Sequence, residues 1–152
     1  MAAVDVVDSY LESLPGQTRR LAGGEWGVSL EAGQGGGWPL HLGLRLAGGV
    51  LHAQAHALDD ADDLDPWMLL WWNSQTRFVR FACTRGREIW VQGDLAATDV
   101  DERTLDRMLG LVVEGAVAVR QYHRARARPE QSPAPSWLPG RLSGVRLRAG
   151  GP

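Results

Sequence analysis

Three histidines are the residues whose types and spacing could support metal chemistry. His41 and His56 lie on the polar side of two predicted neighbouring strands, and His52 lies nearby on the second of them. Two or three imidazoles on one face could bind zinc, but a catalytic zinc site usually needs three ordered ligands and groups that orient them. A solvated polar face accounts for the same histidines without a metal. We therefore predict no metal and no cofactor, with zinc binding as the alternative.

Residues for covalent or acid–base catalysis form no recognisable motif. Cys83, the only cysteine, falls on the predicted buried side of its strand, where a thiol behaves as a small apolar group. The sequence contains neither a G-x-S-x-G nor an H-E-x-x-H motif. We therefore predict that the protein is not an enzyme and has no catalytic residues.

Basic charge is concentrated near the end of the sequence. Residues 1–123 carry 10 arginines and 17 acids, a net charge of −7, whereas residues 124–152 carry 6 arginines and Glu130, a net charge of +5. Arginines neutralise phosphates and aromatic rings stack on bases, so this Arg-rich tail, with Trp137, could bind nucleic acid directly. A solvated tail or one that touches the acidic body would look the same.

Length and composition favour one folded domain with a tail. The chain has 152 residues, of which 44% are hydrophobic and 22% charged. No stretch reaches the roughly 18 apolar residues of a membrane span, and the start, MAAVDVVDSY, has no basic region of a signal peptide. We expect a cytoplasmic protein with a folded domain over residues 1–123 and a disordered or loosely docked tail over residues 124–152.

Apolar residues recur with the period of an α-helix in three segments. The first is Asp5–Leu14. The second begins after an N-cap at Asp65, with Pro66 in its first position, and is so apolar that we expect it to be buried on more than one side. The third begins with the capping-box spacing of Asp99 and Glu102.

The third predicted helix has an apolar stripe that should cover the sheet. Gly110 and Gly115 lie within this helix, and each lowers its stability by about 1 kcal/mol, so packing has to compensate. The stripe consists of Leu105, Met108, Leu109, Val112, Val113, Ala116 and Val117.

Alternating apolar and polar residues predict five strands. The best-defined hairpin turns at Gly48-Gly49, which sets Leu46 opposite Leu51 and places leucines opposite alanines on one buried face. The opposite face is polar, which indicates an antiparallel sheet with one dry face. A flexible glycine-rich loop, Ala32–Gly37, joins the first two strands. The predicted strands are Glu25–Glu31, Leu40–Leu46, Leu51–Ala57, Arg77–Thr84 and Arg87–Leu95.

The last two predicted strands form a second hairpin. A three-residue turn, Thr84-Arg85-Gly86, closes it with Gly86 at positive φ. This register sets Arg80 opposite Trp90 on the polar face, which favours a cation–π pair. The predicted buried face consists of Val79, Phe81, Cys83, Ile89 and Val91.

Seven tryptophans are more than one small core easily holds, and tryptophan is enriched at interfaces. On the second helix Trp67 and Trp71 lie four residues apart on one face, and Met68 and Trp72 are paired in the same way on another. The sheet can cover only one of these stripes. The other is covered by the first or third helix, or it faces another polypeptide. The candidate partner-binding residues are Trp67, Trp71, Trp72, Arg80, Trp90 and Trp137.

Two stretches of the sequence resemble the YbjN family of bacterial proteins. In WMLLWWNSQTRFVRFACTRGREIWVQGDL, a helix ending in Trp72-Asn73 runs into a hairpin closed by a glycine turn. The second stretch, DVDERTLDRMLGLVVEGAVAV, is similar to the family's closing amphipathic helix. The resemblance covers residues 5–122.

The resemblance implies an α+β fold in the order α-β-β-β-α-β-β-α, similar to type III secretion chaperones, with a twisted antiparallel sheet and helices packed mainly on one face. Such proteins are non-enzymatic, commonly dimeric, and hold other proteins. Some relatives are associated with DNA-repair machinery, so a single-stranded-DNA-binding or annealing protein is one candidate client. We therefore predict a homodimeric protein-binding adaptor. The alternative is a nucleic-acid-associated protein that binds DNA directly through its Arg-rich tail.

Overall fold

The computed structural model describes residues 2–127, which form three helices and six strands. A short 3₁₀ turn, Ala97–Asp99, precedes the last helix. In chain order the elements are α1 (Ala3–Ser13), β1 (Gln17–Ala22), β2 (Glu25–Leu30), β3 (Leu40–Ala47), β4 (Val50–Leu58), α2 (Pro66–Gln75), β5 (Val79–Cys83), β6 (Ile89–Ala96) and α3 (Glu102–Ala127).

The strands form one antiparallel sheet in the spatial order β1-β2-β3-β4-β6-β5, so β1 and β5 lie at its edges. The predicted register of the central hairpin is confirmed, because Leu46 lies opposite Leu51 and Leu44 opposite Ala53. Gly48-Gly49 makes the turn with φ values of 58° and 77°. Glycine reaches this left-handed region without strain, as a two-residue hairpin turn requires.

Strand β1 is one more strand than the sequence pattern predicted. Five of its six residues are exposed, so no alternation of apolar and polar residues marks it. It forms because it pairs with β2, where Thr18 lies opposite Val28. Gly23-Gly24 is therefore a hairpin turn between β1 and β2, with Gly24 at a φ of 74°.

The helices pack mainly on one face of the sheet, and the core lies between the two layers. Helix α3 crosses β4, β6 and β5, and α1 contacts α3. The Tyr10 hydroxyl on α1 donates to Asp106 on α3 at 2.9 Å. The Trp26 ring N–H on β2 donates to Asp8 on α1 at 2.7 Å, which ties that helix to the sheet. The predicted α+β architecture with an antiparallel sheet is confirmed.

Helix α3 differs from its prediction at both ends. Asp99 lies in the 3₁₀ turn and forms no capping box with Glu102. Instead, Asp101 accepts a hydrogen bond from the Thr104 N–H at 2.7 Å, and the Thr104 hydroxyl accepts one from the Asp101 N–H at 2.9 Å. At the other end the helix runs to Ala127, so residues 124–127, which we assigned to the tail, are helical.

The β5–β6 hairpin is shifted from the predicted register. Strand β5 ends at Cys83 and β6 begins at Ile89, so the connection takes residues 84–88 instead of three residues. Arg80 therefore lies opposite Gln92 and not opposite Trp90. A shift of two residues keeps every side chain on its own face of the sheet. The buried face is accordingly as predicted for Val79, Phe81, Ile89 and Val91.

The turn of this hairpin also corrects two predictions. The residue with positive φ is Arg87, at 64°, and not Gly86. Cys83, the last residue of β5, is exposed and not buried.

Candidate functional site

Helix α2 begins as predicted. The Asp65 carboxylate accepts a hydrogen bond from the Trp67 N–H at 3.0 Å, and Pro66 occupies the first turn. Trp72 on this helix is fully buried, and its ring lies 5.4 Å from the rings of both Phe81 and Tyr122. Trp72 was a candidate partner-binding residue, but it belongs to the core because β5 and α3 enclose it.

The outer face of α2 carries three large exposed apolar residues, which we call the α2 strip: Trp67, Leu70 and Trp71. These residues are 76%, 58% and 44% exposed, respectively. They follow one another at i, i+3 and i+4, so they lie side by side on the helix surface. Contiguous apolar surface of this kind marks interaction sites in soluble proteins.

A groove of about 340 Å³ adjoins the α2 strip, and we call it the α2–β5 groove. Leu70 belongs to both features, so the strip and the groove form one continuous apolar surface. The lining residues are Ala61, Asp62, Leu64, Pro66, Leu69, Leu70, Asn73, Phe81, Ala82, Cys83, Thr84, Arg87 and Ile89.

Asn73 closes the outer edge of β5 beside this groove. Its side-chain oxygen accepts a hydrogen bond from the Phe81 N–H at 2.6 Å, and its amide group donates to the Phe81 carbonyl at 3.0 Å. The Thr76 hydroxyl donates to the Val79 carbonyl at 2.7 Å. These contacts satisfy backbone groups that would otherwise pair with a further strand. At Phe81 and Val79 a ligand of the groove therefore has to bind through its side chains.

Asp62 and Arg87 line one end of the groove, and the other carboxylates of the same segment flank it. The segment before α2 carries Asp59, Asp60, Asp62, Asp63 and Asp65, all of them exposed, and we call it the acidic run. The Arg87 guanidinium pairs with Asp62. The acidic run is next to the apolar lining, so the groove suits a ligand that combines apolar and basic side chains.

Arg80 and Trp90, two other candidate partner-binding residues, lie on the open face of the sheet and away from the α2 strip. Arg80 donates to Asp94 at 2.7 Å, and the same carboxylate group contacts His52 at 2.5 Å. Burial acts to raise the pKa of Asp94, but the hydrogen bonds from His52 and Arg80 outweigh it and hold that pKa below its usual value. The Trp90 ring packs against His56 at 4.8 Å.

The three histidines of the zinc hypothesis each contact a different group. His41 shares a hydrogen bond with Ser29 at 2.9 Å, and His52 with Asp94. His56 lies 3.4 Å from a carboxylate oxygen of Asp59. Among residues 2–127, no three His, Cys, Asp or Glu side chains are grouped so that they could hold a metal ion.

The structure thus brings together only two of the six candidate residues, Trp67 and Trp71. Trp137 lies outside the described residues. Leu70 and Asn73 were not predicted. The i, i+3, i+4 spacing of Leu70 with the two tryptophans was a usable signal, whereas the role of Asn73 depends on where β5 lies.

The fold resembles that of solved chaperone complexes. A chain of the ExsC–ExsE complex aligns with a TM-score of 0.56 at 15% identity and covers 80% of this chain and 96% of its own. A chain of the HopA1–SchA chaperone–effector complex aligns with a TM-score of 0.59 at 14% identity, covering 77% and 91%. A third match is a chain of the complex between the Yersinia pestis type III secretion chaperone SycH and a stable fragment of YscM2. It aligns with a TM-score of 0.56 at 16% identity and covers 76% of this chain and 97% of its own.

These likenesses, all at 16% identity or below, establish a type III secretion chaperone fold. No family model matches the chain, and neither does any curated protein. Among the helices of residues 2–127, none combines the length and the apolar character that crossing a bilayer requires.

Proposed function

We propose that this chain is a chaperone-like protein-binding module. It holds a segment of a partner protein in the α2–β5 groove and against the α2 strip, without chemical turnover. The observation that carries the proposal is the continuity of the exposed residues Trp67, Leu70 and Trp71 with a concave apolar groove. Tryptophan is enriched among the energetically important positions of protein interfaces, which cluster in well-packed pockets.

The fold supports the same proposal. The solved structures that share it include a chaperone–effector complex and a secretion chaperone bound to a protein fragment. A fold alone does not fix a function, so the argument depends on the surface. The closed edge of β5 at Phe81 directs a client towards the groove and the α2 strip.

We also propose the finer features that the resemblance to the YbjN family implies. These are a homodimer in the cytoplasm and a client such as a single-stranded-DNA-binding or annealing protein of DNA repair. Direct DNA binding through the Arg-rich tail is the alternative, and residues 128–152 of that tail lie outside the described residues.

The test uses a photo-crosslinking amino acid in place of Leu70 to capture the client in the native cell, with nuclease present. The captured protein is then purified, and its Kd is measured with the wild type, Leu70→Ser and Leu21→Ser. Leu21 is the matched control, because it is 57% exposed and lies on the edge strand β1, at the other end of the sheet from β5.

We expect Leu70→Ser to raise the Kd about tenfold, the equivalent of about 1.4 kcal/mol, and Leu21→Ser to leave it within about twofold. Equal effects of the two substitutions would contradict the proposed surface. Binding that disappears with nuclease, and with the tail arginines Arg141, Arg146 and Arg148 replaced by glutamine, would instead support direct DNA binding.

A further inference from the structure

The last turns of α3 lie against α2. Tyr122, near the end of α3, packs its ring 5.4 Å from that of Trp72 on α2, and Arg126 donates to the Tyr122 hydroxyl at 3.1 Å. That hydrogen bond is the main cause that raises the pKa of Arg126, and the nearby charges of Asp65 and Asp63 add to it. The segment that follows Ala127 therefore starts near α2, within electrostatic range of Asp63 and Asp65.

This following segment matches the groove in chemistry. Residues 128–152 contain four arginines and Glu130, a net charge of +3, together with the adjacent apolar residues Trp137 and Leu138. The groove has a lining that is mostly apolar, which suits Trp137 and Leu138, and the acidic run at one end, which suits the arginines. Opposite charges on a segment and its site steer and orient binding.

The segment is also long enough to reach the groove. Trp137 lies ten positions after Ala127, and an extended chain covers about 3.3–3.6 Å per residue, or roughly 35 Å. Helix α2 has 10 residues and is about 15 Å long. Trp137 can therefore reach any position along α2 within the same molecule.

A second copy docked through the same surface fits less well. A second copy would use the same patch, which carries the same acidic run and so brings no excess of basic side chains to pair with it.

We propose that residues 128–152 bind in cis to the α2–β5 groove, with Trp137 and Leu138 against the α2 strip and arginines beside the acidic run. A protein client then has to displace this segment, and that second step rests on the proposed function. The segment would keep the apolar surface covered until a client of higher affinity arrives.

Cys83 provides a probe of groove occupancy, because it is the only thiol of the chain, it is exposed, and it lines the groove. The experiment measures the rate at which a colourless aromatic disulfide reagent modifies Cys83 in the full chain. The variants are Trp137→Ser combined with Leu138→Ser, and Trp137→Phe as the control that keeps an aromatic ring.

We expect the double variant to react at least fivefold faster than the wild type, and Trp137→Phe to react at nearly the wild-type rate. Adding 1 M salt should accelerate the wild type, because the Debye length falls to about 3 Å and the charge attraction is screened. Equal rates in wild type and double variant would overturn the proposal. Protection of Cys83 that grows with protein concentration would also overturn it, in favour of a second copy.

The measurement needs no client, so its failure is distinct from failure of the proposed function. If Cys83 is protected in cis, the Kd of the client identified by crosslinking should fall about fivefold or more in the double variant, because residues 128–152 no longer compete with the client for the groove. Protection of Cys83 with an unchanged Kd would support docking of the segment and overturn competition with the client.

Discussion

Arg120 and Trp38 contact each other in two ways. The guanidinium carbon of Arg120 lies 4.4 Å from the centre of the Trp38 ring, and one nitrogen of the same group donates to the Trp38 carbonyl at 2.9 Å. Arg120 is buried, and burial is the main cause that lowers the pKa of its guanidinium. Its hydrogen bonds all go to backbone carbonyls, those of Gly35, Trp38, Pro39, His56 and Ala57.

The five carbonyls match the five N–H donors of a guanidinium group. Gly35, Trp38 and Pro39 belong to the connection between β2 and β3, whereas His56 and Ala57 belong to β4. Arg120 therefore holds the glycine-rich loop against α3 and the sheet. We had predicted that this loop is flexible.

Replacing Arg120 should destabilise the fold strongly. Arg120→Lys keeps the charge but has three donors in a different geometry, so buried carbonyls lose their partners. We expect the free energy of unfolding to fall by about 3 kcal/mol, measured by urea denaturation. Arg124→Lys is the control, because Arg124 is exposed and lies farther from the Trp38 ring, at 5.9 Å. A loss as large in the control would contradict the special role of Arg120.

The sequence contains a signal for β1 other than the alternation of apolar and polar residues. Arg-Leu-Ala-Gly-Gly occurs twice, at residues 20–24 and 45–49, and both copies end a strand and form a hairpin turn. Alternation identifies strands that have one buried face, as in β3 and β4. Strand β1 lies at the sheet edge and is mostly exposed, so only its turn identifies it.

The candidate site was predictable in part for a related reason. The spacing within α2 correctly indicated two apolar stripes, but the expectation that the helix is buried on more than one side was wrong, because one stripe is exposed. Which stripe is buried depends on the position of α2 against β5, and that position is set by the contacts of Trp72 with Phe81 and Tyr122. Those partners are 9 and 50 residues away in the sequence, so local periodicity carries no information about them.

Two glycines of α3 should respond oppositely to alanine. A Cβ at Gly110 would meet no atom within 4 Å, so Gly110→Ala should raise the free energy of unfolding by about 1 kcal/mol through helix propensity. A Cβ at Gly115 would lie 3.1 Å from a methyl group of Val91, which is fully buried. Crowding in a close-packed core then outweighs the propensity, and Gly115→Ala should cost about 1 kcal/mol. Urea denaturation of both variants checks this, and a gain for both would contradict it.

The contact between Tyr10 and Asp106 predicts a pH dependence on the alkaline side. Burial first, and then the hydrogen bond to Asp106, raise the pKa of Tyr10 to about 12. The unfolded chain has a pKa of about 10 for tyrosine, so the folded state holds the proton more tightly. This stabilisation is fully present below about pH 10 and is lost as the pH rises through about 12.

Tyr10→Phe should therefore lower the free energy of unfolding by about 1 kcal/mol at pH 7. The difference from the wild type should shrink between about pH 10 and pH 12, because only the wild type loses stability by releasing this proton. Urea denaturation at a series of pH values measures it. A difference that stays constant over this range would show that the raised pKa of Tyr10 is not linked to folding.

Trp71 and Trp72 are adjacent on α2, but replacing them should have different effects, one on binding and the other on stability. Trp72 is fully buried, so Trp72→Ala leaves a large cavity and should lower the free energy of unfolding by about 4 kcal/mol. Trp71 is exposed on the α2 strip, so Trp71→Ala should cost less than about 1 kcal/mol. Its effect should appear instead as an approximately tenfold rise in the Kd of the crosslinked client. An equal loss in the free energy of unfolding for the Trp71 and Trp72 variants would show that both residues belong to the core. Trp71 would then not belong to the proposed binding surface.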